Sequence, residues 1–190
     1  CKGEKQTGIY TISAEFGKPV SVLNSRSLSG ALGLVVLRAA TAVEEGKNHD
    51  EVVRLTEEWI EKSKVLVSVK DLSYLIKGGR LSYTKGLIAR ILNVNPIVSI
   101  DETGKAIVFD KTLNQRATME KVMSYVRKQV KETKIWNYVV LHANNQQAAD
   151  WYSERMEELT SLKPVSVVNI SPVIGANVGV GAAAVAYMIQ

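Results

Sequence analysis

A short segment in the middle of the chain has the residue types needed to hold an anion. In the stretch DLSYLIKGGRLS, residues 71–82, Gly78 and Gly79 stand between Lys77 and Arg80. Two glycines permit positive φ or the close approach of another group, and an arginine fixed there can hold a carboxylate or phosphate through two parallel hydrogen bonds. The alternative is a helix C-cap followed by an exposed arginine. The segment therefore predicts either an anion site or a helix end.

A glycine-rich loop near the end of the chain is a second candidate anion site. The stretch GANVGVGAAA, residues 175–184, predicts a loop that runs into a small-residue helix from about Gly179. The start of such a helix attracts anions through its unpaired N–H groups, whereas the alternative use of small residues is close helix packing. A dinucleotide-binding fingerprint is not favoured, because the preceding strand ends near Ile170 and no acidic ribose-binding residue follows.

Residues suited to acid–base or metal chemistry are few. His142, in VVLHANN, is a candidate proton carrier at the end of a strand, but no serine or cysteine stands in a nucleophile-elbow context. The alternative is a structural histidine that satisfies its neighbours by hydrogen bonds. With one cysteine and two histidines, a zinc site is not expected, and the lone cysteine favours a reducing, cytoplasmic setting.

The charge is mildly positive and locally concentrated. The net charge is +5, and residues 72–100 contain no acidic residue but four basic ones: Lys77, Arg80, Lys85 and Arg90. This face suits an anionic ligand, an acidic protein or weak nucleic-acid attraction, although few aromatic residues are present there for base stacking. The apolar stretch 173–189 is interrupted by Asn177 and glycines and is shorter than the ~20 residues of a membrane span, so no membrane insertion is expected.

The elements that would position these residues alternate between strands and helices. This order predicts an α/β fold with a parallel or mixed sheet that helices cover on both faces. Strands are predicted at VSVLNS, KVLVSV, IVSI, AIVFD, IWNYVVLHA and VSVVNI. Helices are predicted over 28–43, with a glycine stop at Gly46, and over 49–63, from Ser82, over 114–132 and over 146–162.

Several of these segments together resemble the DegV family of bacterial fatty-acid-binding proteins. LSYLIKGGRLS, followed by NPIVSID and GKAIVFDKTLNQRATMEKV, is similar to the central signature of that family. VSVLNSRSLSGALGLVVLRAATAVEEG resembles its strand ending in Asp-Ser and the next helix, with Asn24 where aspartate is usual. LHANN is similar to its HADN segment, and ISPVIGANVGVGAAAVAY to its glycine loop, with Asn177 in place of a histidine and Val180 in place of a proline. The resemblance covers essentially the whole chain.

The resemblance implies a two-domain α/β architecture whose sheets are sandwiched by helices and whose N-terminal part is missing from this sequence. Residues 1–63 would be the remainder of the first domain, and residues 64–190 would be the second domain. A sheet without its first strands would expose an edge. The intact protein is therefore expected to be longer.

The resemblance also implies a function. A long-chain fatty acid would lie between the two domains, and the protein would present its carboxylate to a fatty acid kinase, either a separate subunit or a fused kinase-like domain. The chain itself would make no bonds and need no cofactor; the fatty acid is its ligand. The alternative from a different class is an enzyme that acts on a small anionic substrate near Arg80 and Asn177, with His142 or Asn177 taking part.

Site residues follow from the same resemblance. Arg80 takes the position of the family's carboxylate-binding arginine, Thr7 that of a head-group serine, and Asn177 that of the loop histidine. The loops expected near the ligand contain Gly78, Gly79, Gly175, Gly179 and Gly181. The residues expected to dock the kinase are Lys77, Lys85 and Arg90.

Overall fold

The computed structural model describes residues 17–81 and 94–190, in which helices alternate with strands. The helices are α1 (Ser29–Glu44), α2 (His49–Lys62), α3 (Ser73–Lys77), α4 (Gln115–Glu132), α5 (Gln146–Thr160) and α6 (Pro172–Val178). The strands are β1 (Ser63–Ser68), β2 (Asn95–Ile100), β3 (Ala106–Thr112), β4 (Ile135–His142), β5 (Ser166–Asn169) and β6 (Ala183–Ile189).

The strands form one six-stranded sheet in the order β3-β2-β1-β6-β4-β5. Strands β4 and β5 are parallel, and the other neighbouring pairs are antiparallel. The predicted α/β fold with a mixed sheet is confirmed. The antiparallel share is large because β2 and β3 form a hairpin and β6 returns between β1 and β4.

Local sequence signals explain where the helices begin and end. The Asn48 side chain accepts a hydrogen bond from the Glu51 N–H, and the Glu51 carboxylate accepts one from the Asn48 N–H, which caps α2. Gly46, at φ +80°, follows the end of α1 as the glycine stop predicted. Asn114 caps α4 by accepting a hydrogen bond from the Ala117 N–H.

The predicted helix from Gly179 is wrong, because this stretch is the strand β6. The small residues of Ala183–Ile189 are buried on both faces of the sheet, so the strand lacks the alternation of apolar and polar residues that would distinguish it from a buried helix. The helix of this region lies earlier, at Pro172–Val178, where Pro172 occupies its first turn.

The predicted strand at VSVLNS is also wrong. Residues 18–28 are not in a strand, and Val20 and Val22 are exposed. The segment is β-branched but has no neighbouring strand among the described residues, so its backbone groups lack a ladder partner. The helix predicted from Ser82 lies outside the described residues.

The two faces of the sheet are covered by different helices. On one face, α4 and α5 bury a cluster that includes Met119, Val122, Tyr152 and Met156 against Tyr138 and its neighbours in the sheet. On the other face, α1 and α2 pack over part of β1, β4 and β6, and α3 lies beside them in a separate cluster with Val98 and Ala182. Helix α6 contacts α3. Residues before and after position 63 share the cluster under α1, and the domain boundary at that position stays a prediction.

Helix α1 lies unusually close to the sheet at Gly30. A Cβ atom at this position would be 3.0 Å from Ala186 Cβ, 3.1 Å from Leu141 Cδ1 and 3.3 Å from Val139 Cβ. The pairing of a glycine with an alanine therefore sets the distance between this helix and β6. Gly33, one turn later, has no atom within 4 Å of its ideal Cβ position.

Helices α3 and α6 pack closely because a glycine follows each of them and makes room for a side chain of the other helix. A Cβ atom on Gly78, which follows α3, would overlap Asn177 Oδ1 of α6. A Cβ atom on Gly179, which follows α6, would lie 2.6 Å from the Tyr74 ring of α3. The two glycine-containing segments that the sequence singled out are therefore in direct contact with each other.

The packing of α1 gives a prediction with an internal control. Gly30→Ala is expected to lower the free energy of unfolding by about 1–3 kcal/mol, because the added methyl group forces the helix away from the sheet. Gly33→Ala should raise it by about 0.5–1 kcal/mol, because alanine stabilises a helix and meets nothing. Denaturant unfolding of both variants checks this, and equal stabilisation by both would show that α1 does not lie so close to the sheet.

The contact between α3 and α6 gives a second prediction. Gly78 has φ −75°, which alanine adopts freely, so Gly78→Ala should destabilise mainly through Asn177, by about 1–3 kcal/mol, and Asn177→Ala in the same chain should restore most of that loss. Gly79 has φ +67°, which disfavours alanine, and nothing lies near its ideal Cβ position. Gly79→Ala should therefore lower the free energy of unfolding by about 1–2 kcal/mol, and Asn177→Ala should not restore this loss. A double-mutant cycle in denaturant measures both couplings; no coupling between positions 78 and 177 would contradict the packing.

Candidate functional site

A cavity of about 450 Å³ lies on the sheet face that carries α1, between the first turn of that helix and the pair α3–α6. Ligand pockets for small molecules are typically ~300–1,000 Å³ and mostly apolar. The floor of the cavity is formed by the strand residues Val65, Val67, Val98, Ile100, Leu141 and Ala184, together with Ala182 just before β6. The walls are formed by helices and their ends, through Leu28, Ser29, Leu75, Val173, Ile174 and Val178.

The cavity is lined by two charged residues, and both are cations. Arg80 and Lys105 line it, and no aspartate or glutamate does so in the described part of the chain. Strand register separates the two. Arg80 follows α3, which packs near Val98, whereas Lys105 precedes Ala106, the partner of Ile100 farther along the hairpin. The cavity therefore runs along the strands with a cation toward each end.

Arg80 has most of its hydrogen-bonding capacity available. The residue is exposed, and its Nη1 donates to the carbonyl oxygen of Gly78 at 3.1 Å. No carboxylate pairs with it among residues 17–81 and 94–190. The guanidinium group has five N–H donors, so a carboxylate at the cavity could still be bound in a bidentate manner.

Asn177 lies at the same end of the cavity. Its Nδ2 donates to the Val173 carbonyl oxygen at 2.8 Å, and its Oδ1 faces Gly78. The amide nitrogen has a second hydrogen that this bond does not use. The structure thus brings Arg80 and Asn177 to one cavity, and their binding of a carboxylate stays a prediction.

Among the five glycines predicted near a ligand, Gly79 lines the cavity. The space where a side chain would stand is occupied by Asn177 at Gly78 and by Tyr74 at Gly179. These two glycines therefore permit close packing. The Gly181 N–H donates to the Ala143 carbonyl oxygen, and its own carbonyl accepts from the Gln115 and Asn145 amides. Gly175 has open space around it and is not part of the lining.

Of the remaining predicted residues, the structure describes one, Lys77. Lys77 is exposed on α3 and does not line it. Thr7, Lys85 and Arg90 lie outside the described residues. Lys105, Leu28 and Ser29 line the cavity although the sequence did not single them out. A lysine after a turn glycine and a leucine before a helix carry no signal of a cavity, because both are common surface patterns.

His142 has the position of a structural residue. It is 7% exposed, and its Nδ1 accepts a hydrogen bond from the Asn145 N–H at 3.2 Å, at the start of α5. Its neighbour Leu141 belongs to the cluster under α1, so strand alternation places the imidazole on the opposite face of the sheet and leaves its main chain at the cavity wall. Nothing in this geometry favours the enzyme alternative.

The described residues contain neither a cluster of metal-binding side chains nor a helix that could span a membrane. Groups of three or more histidine, cysteine, aspartate or glutamate side chains that could hold a metal ion do not occur in this part of the chain. Within residues 17–81 and 94–190, the helices are too short or too polar to cross a membrane.

Comparison with known proteins identifies the family. The sequence profile described as "Uncharacterised protein, DegV family" matches residues 7–190. A DegV domain-containing protein of Clostridium perfringens is 32% identical over 168 residues, which cover 88% of this chain. The chain spans 59% of the length of that relative.

Solved structures share the fold. A fatty-acid-binding DegV family protein from Streptococcus agalactiae has a TM-score of 0.83 at 23% identity and covers 97% of this chain and 65% of its own. A DegV family protein from Ruminococcus gnavus with vaccenic acid has a TM-score of 0.79 at 25% identity, covering 94% and 64%. The Fatty Acid Kinase B3 protein of Streptococcus pneumoniae, loaded with linoleic acid, has a TM-score of 0.79 at 22% identity, covering 99% and 66%. With its whole length from residue 7 onward matched by the profile, this chain belongs to the DegV family.

Proposed function

We propose that this protein binds a long-chain fatty acid, with the tail in the apolar cavity and the carboxylate at the Arg80 end. The observation that carries the proposal is an apolar cavity of about 450 Å³ whose charged lining residues are both cations. An apolar floor takes an acyl chain, and an unpaired cation favours an acid over a neutral lipid. The fatty acids in the solved relatives from R. gnavus and S. pneumoniae support the same ligand class.

The energetics assign different tasks to the tail and the head group. Each buried methylene contributes about 0.8 kcal/mol, so an acyl chain can supply the affinity even after the cost of association. Arg80 is exposed, and ion pairs at exposed sites contribute little. Its main effect is therefore to fix which end of the chain enters first.

Further parts of this proposal come from the family. Thr7 would join Arg80 and Asn177 around the carboxylate, and the ligand would lie between a domain ending near residue 63 and a domain over residues 64–190. The bound acid would be presented to a fatty acid kinase, as the name of the S. pneumoniae relative suggests, so the protein itself would catalyse no reaction. We infer the cytoplasm as its location.

The proposal predicts a specific loss in the Arg80→Met variant of the full-length protein. We expect its affinity for palmitate to fall by up to about fivefold, or ~1 kcal/mol, while its affinity for hexadecanol stays unchanged, because methionine retains an apolar stem without the charge. Titration calorimetry with both ligands, and mass analysis of the acid that co-purifies, provide the measurements. The palmitate affinity of Arg80→Lys should lie between those of the unsubstituted protein and Arg80→Met. Lysine keeps the positive charge but lacks the planar guanidinium group that can bind a carboxylate through two hydrogen bonds.

Two results would contradict this part of the proposal. One is an empty extract from the full-length protein together with no uptake of added palmitate. The other is an equal loss of palmitate and hexadecanol binding in Arg80→Met, which would point to a structural role of the arginine.

A further prediction concerns the proposed kinase-docking residues. Reversing Lys77, Lys85 and Arg90 to glutamate should weaken binding of the fatty acid kinase subunit about tenfold at low salt, with a smaller effect at high salt because the Debye length shortens. Palmitate binding should not change. The matched control reverses Lys128, Lys131 and Lys134, which are exposed at the far end of α4 and beyond it, and should retain kinase binding. Equal weakening by both triple variants would indicate a general charge effect.

A further inference from the structure

The end of the cavity opposite Arg80 is built around one lysine. Lys105 belongs to the turn between β2 and β3 and lines the cavity together with Gly104 and Ala106. The residue is exposed, and among the described residues its ammonium group forms no salt bridge, although its charge contributes to the lowered pKa of Asp101. A lysine in this situation places its methylene stem on apolar surface and keeps its charge in water.

The turn that carries Lys105 is held firmly in place. Asp101 Oδ1 accepts hydrogen bonds from the Thr103 N–H at 2.9 Å, the Thr103 hydroxyl at 2.7 Å and the Lys105 N–H at 3.0 Å. The Thr103 hydroxyl, followed by the backbone donors, lowers the pKa of Asp101, so this carboxylate stays ionised at neutral pH. The backbone of Lys105 is thus fixed, and only its side chain is left to adapt.

A second contact holds the turn against the helical layer. Gly104, at φ +84°, packs on Arg26, whose Cα would be 3.3 Å from an added Cβ atom. Arg26 Nη1 donates to the Glu102 carbonyl oxygen at 3.2 Å, and its guanidinium pairs with Glu61 of α2. The loop before α1, the end of α2 and the turn are therefore tied together on the side of the cavity where Lys105 lies.

The surface beyond Lys105 is polar. A neighbouring cavity of about 420 Å³ shares Val65 and Ile100 with the apolar one, but it is lined by charged groups that include Arg26, Glu61 and Asp101. A methyl terminus that advanced past this point would leave apolar surface and displace water from ionised groups, which is unfavourable. The apolar run of the cavity therefore ends at the turn.

We propose that the stem of Lys105 is the end wall of the acyl-chain cavity and limits the length of the chain that the protein binds. This inference rests on the proposed function, in which the carboxylate lies at Arg80. Val98 packs with α3 near the head-group end, whereas Ile100 packs under α1 and pairs with Ala106 beside Lys105, so the wall stands toward the other end of the cavity floor. Lys105 acts as a specificity-determining residue because its stem occupies space, whereas its charge stays in solvent.

The test measures binding of saturated fatty acids of increasing length, from dodecanoate to eicosanoate, to the full-length protein. In the unsubstituted protein, affinity should rise by up to about fourfold per methylene, reach a maximum and then fall. Lys105→Ala removes the wall and should move the maximum to longer chains, with several-fold tighter binding of the first acid beyond the original maximum. Lys105→Met keeps the stem and should leave the length profile unchanged, as should Lys163→Ala, an exposed control before β5.

The outcomes separate this inference from the proposed function. If Lys105→Ala retains the original length profile while fatty acids still bind, the inference is wrong and the proposed function stands. If Lys105→Met shifts the profile as Lys105→Ala does, or abolishes the preference for palmitate over hexadecanol, the ammonium group contacts the ligand and the end-wall role is overturned. If no fatty acid of any length binds to the unsubstituted protein, both proposals fail together.

Discussion

The small side chains of β6 are the constraint on which the arrangement of the sheet face with the cavity depends. This strand lies between β1 and β4 and is covered on both faces, so the size of its residues decides how closely a helix can approach. At Ala186 the space is filled, because α1 brings Gly30 within van der Waals distance. Ala184 and the preceding Ala182 are also small, but α1 begins only at Ser29, and the space above these two residues is the cavity. One run of alanines thus explains both the close helix and the cavity beside it.

The same run shows where sequence reasoning reaches its limit. The amphipathic helix α2, with its capping box, and the β2–β3 hairpin were predictable because polar residues mark their exposed faces and ends. Strand β6 offers no such marks, since both of its faces are buried and its alanines favour a helix locally. At residues 20–23 the prediction errs in the opposite direction, because a strand is predicted where none forms. They have strand composition, but a strand also needs a partner, and a partner is a property of the tertiary structure.

The sequence predicts that the glycines of the candidate site let another group approach the backbone closely, and the structure supports only part of that interpretation. Their lack of a Cβ atom does permit close approach, but at Gly78 and Gly179 the approaching groups are Asn177 and Tyr74 rather than an external molecule. This exchange between α3 and α6 fixes the position of the loop that carries Arg80, so the glycines serve the site indirectly. The local sequence predicts that something comes close to a glycine, whereas the identity of that group depends on which helix packs against it.

The two ends of the cavity carry residues of the same formal charge, Arg80 and Lys105, in different surroundings. At one end, Arg80 lies at the same part of the cavity as Asn177, a neutral amide that can donate a hydrogen bond but cannot carry a proton. The proposed binding of an acid there would therefore depend on a guanidinium group that is always charged. At the other end, Lys105 stands on a turn fixed by an ionised Asp101 and borders a polar surface. An arginine beside unused donors suits a carboxylate, and a lysine at a solvent boundary suits the end of an apolar chain. The asymmetry between the ends gives the cavity a direction, although its floor is apolar throughout.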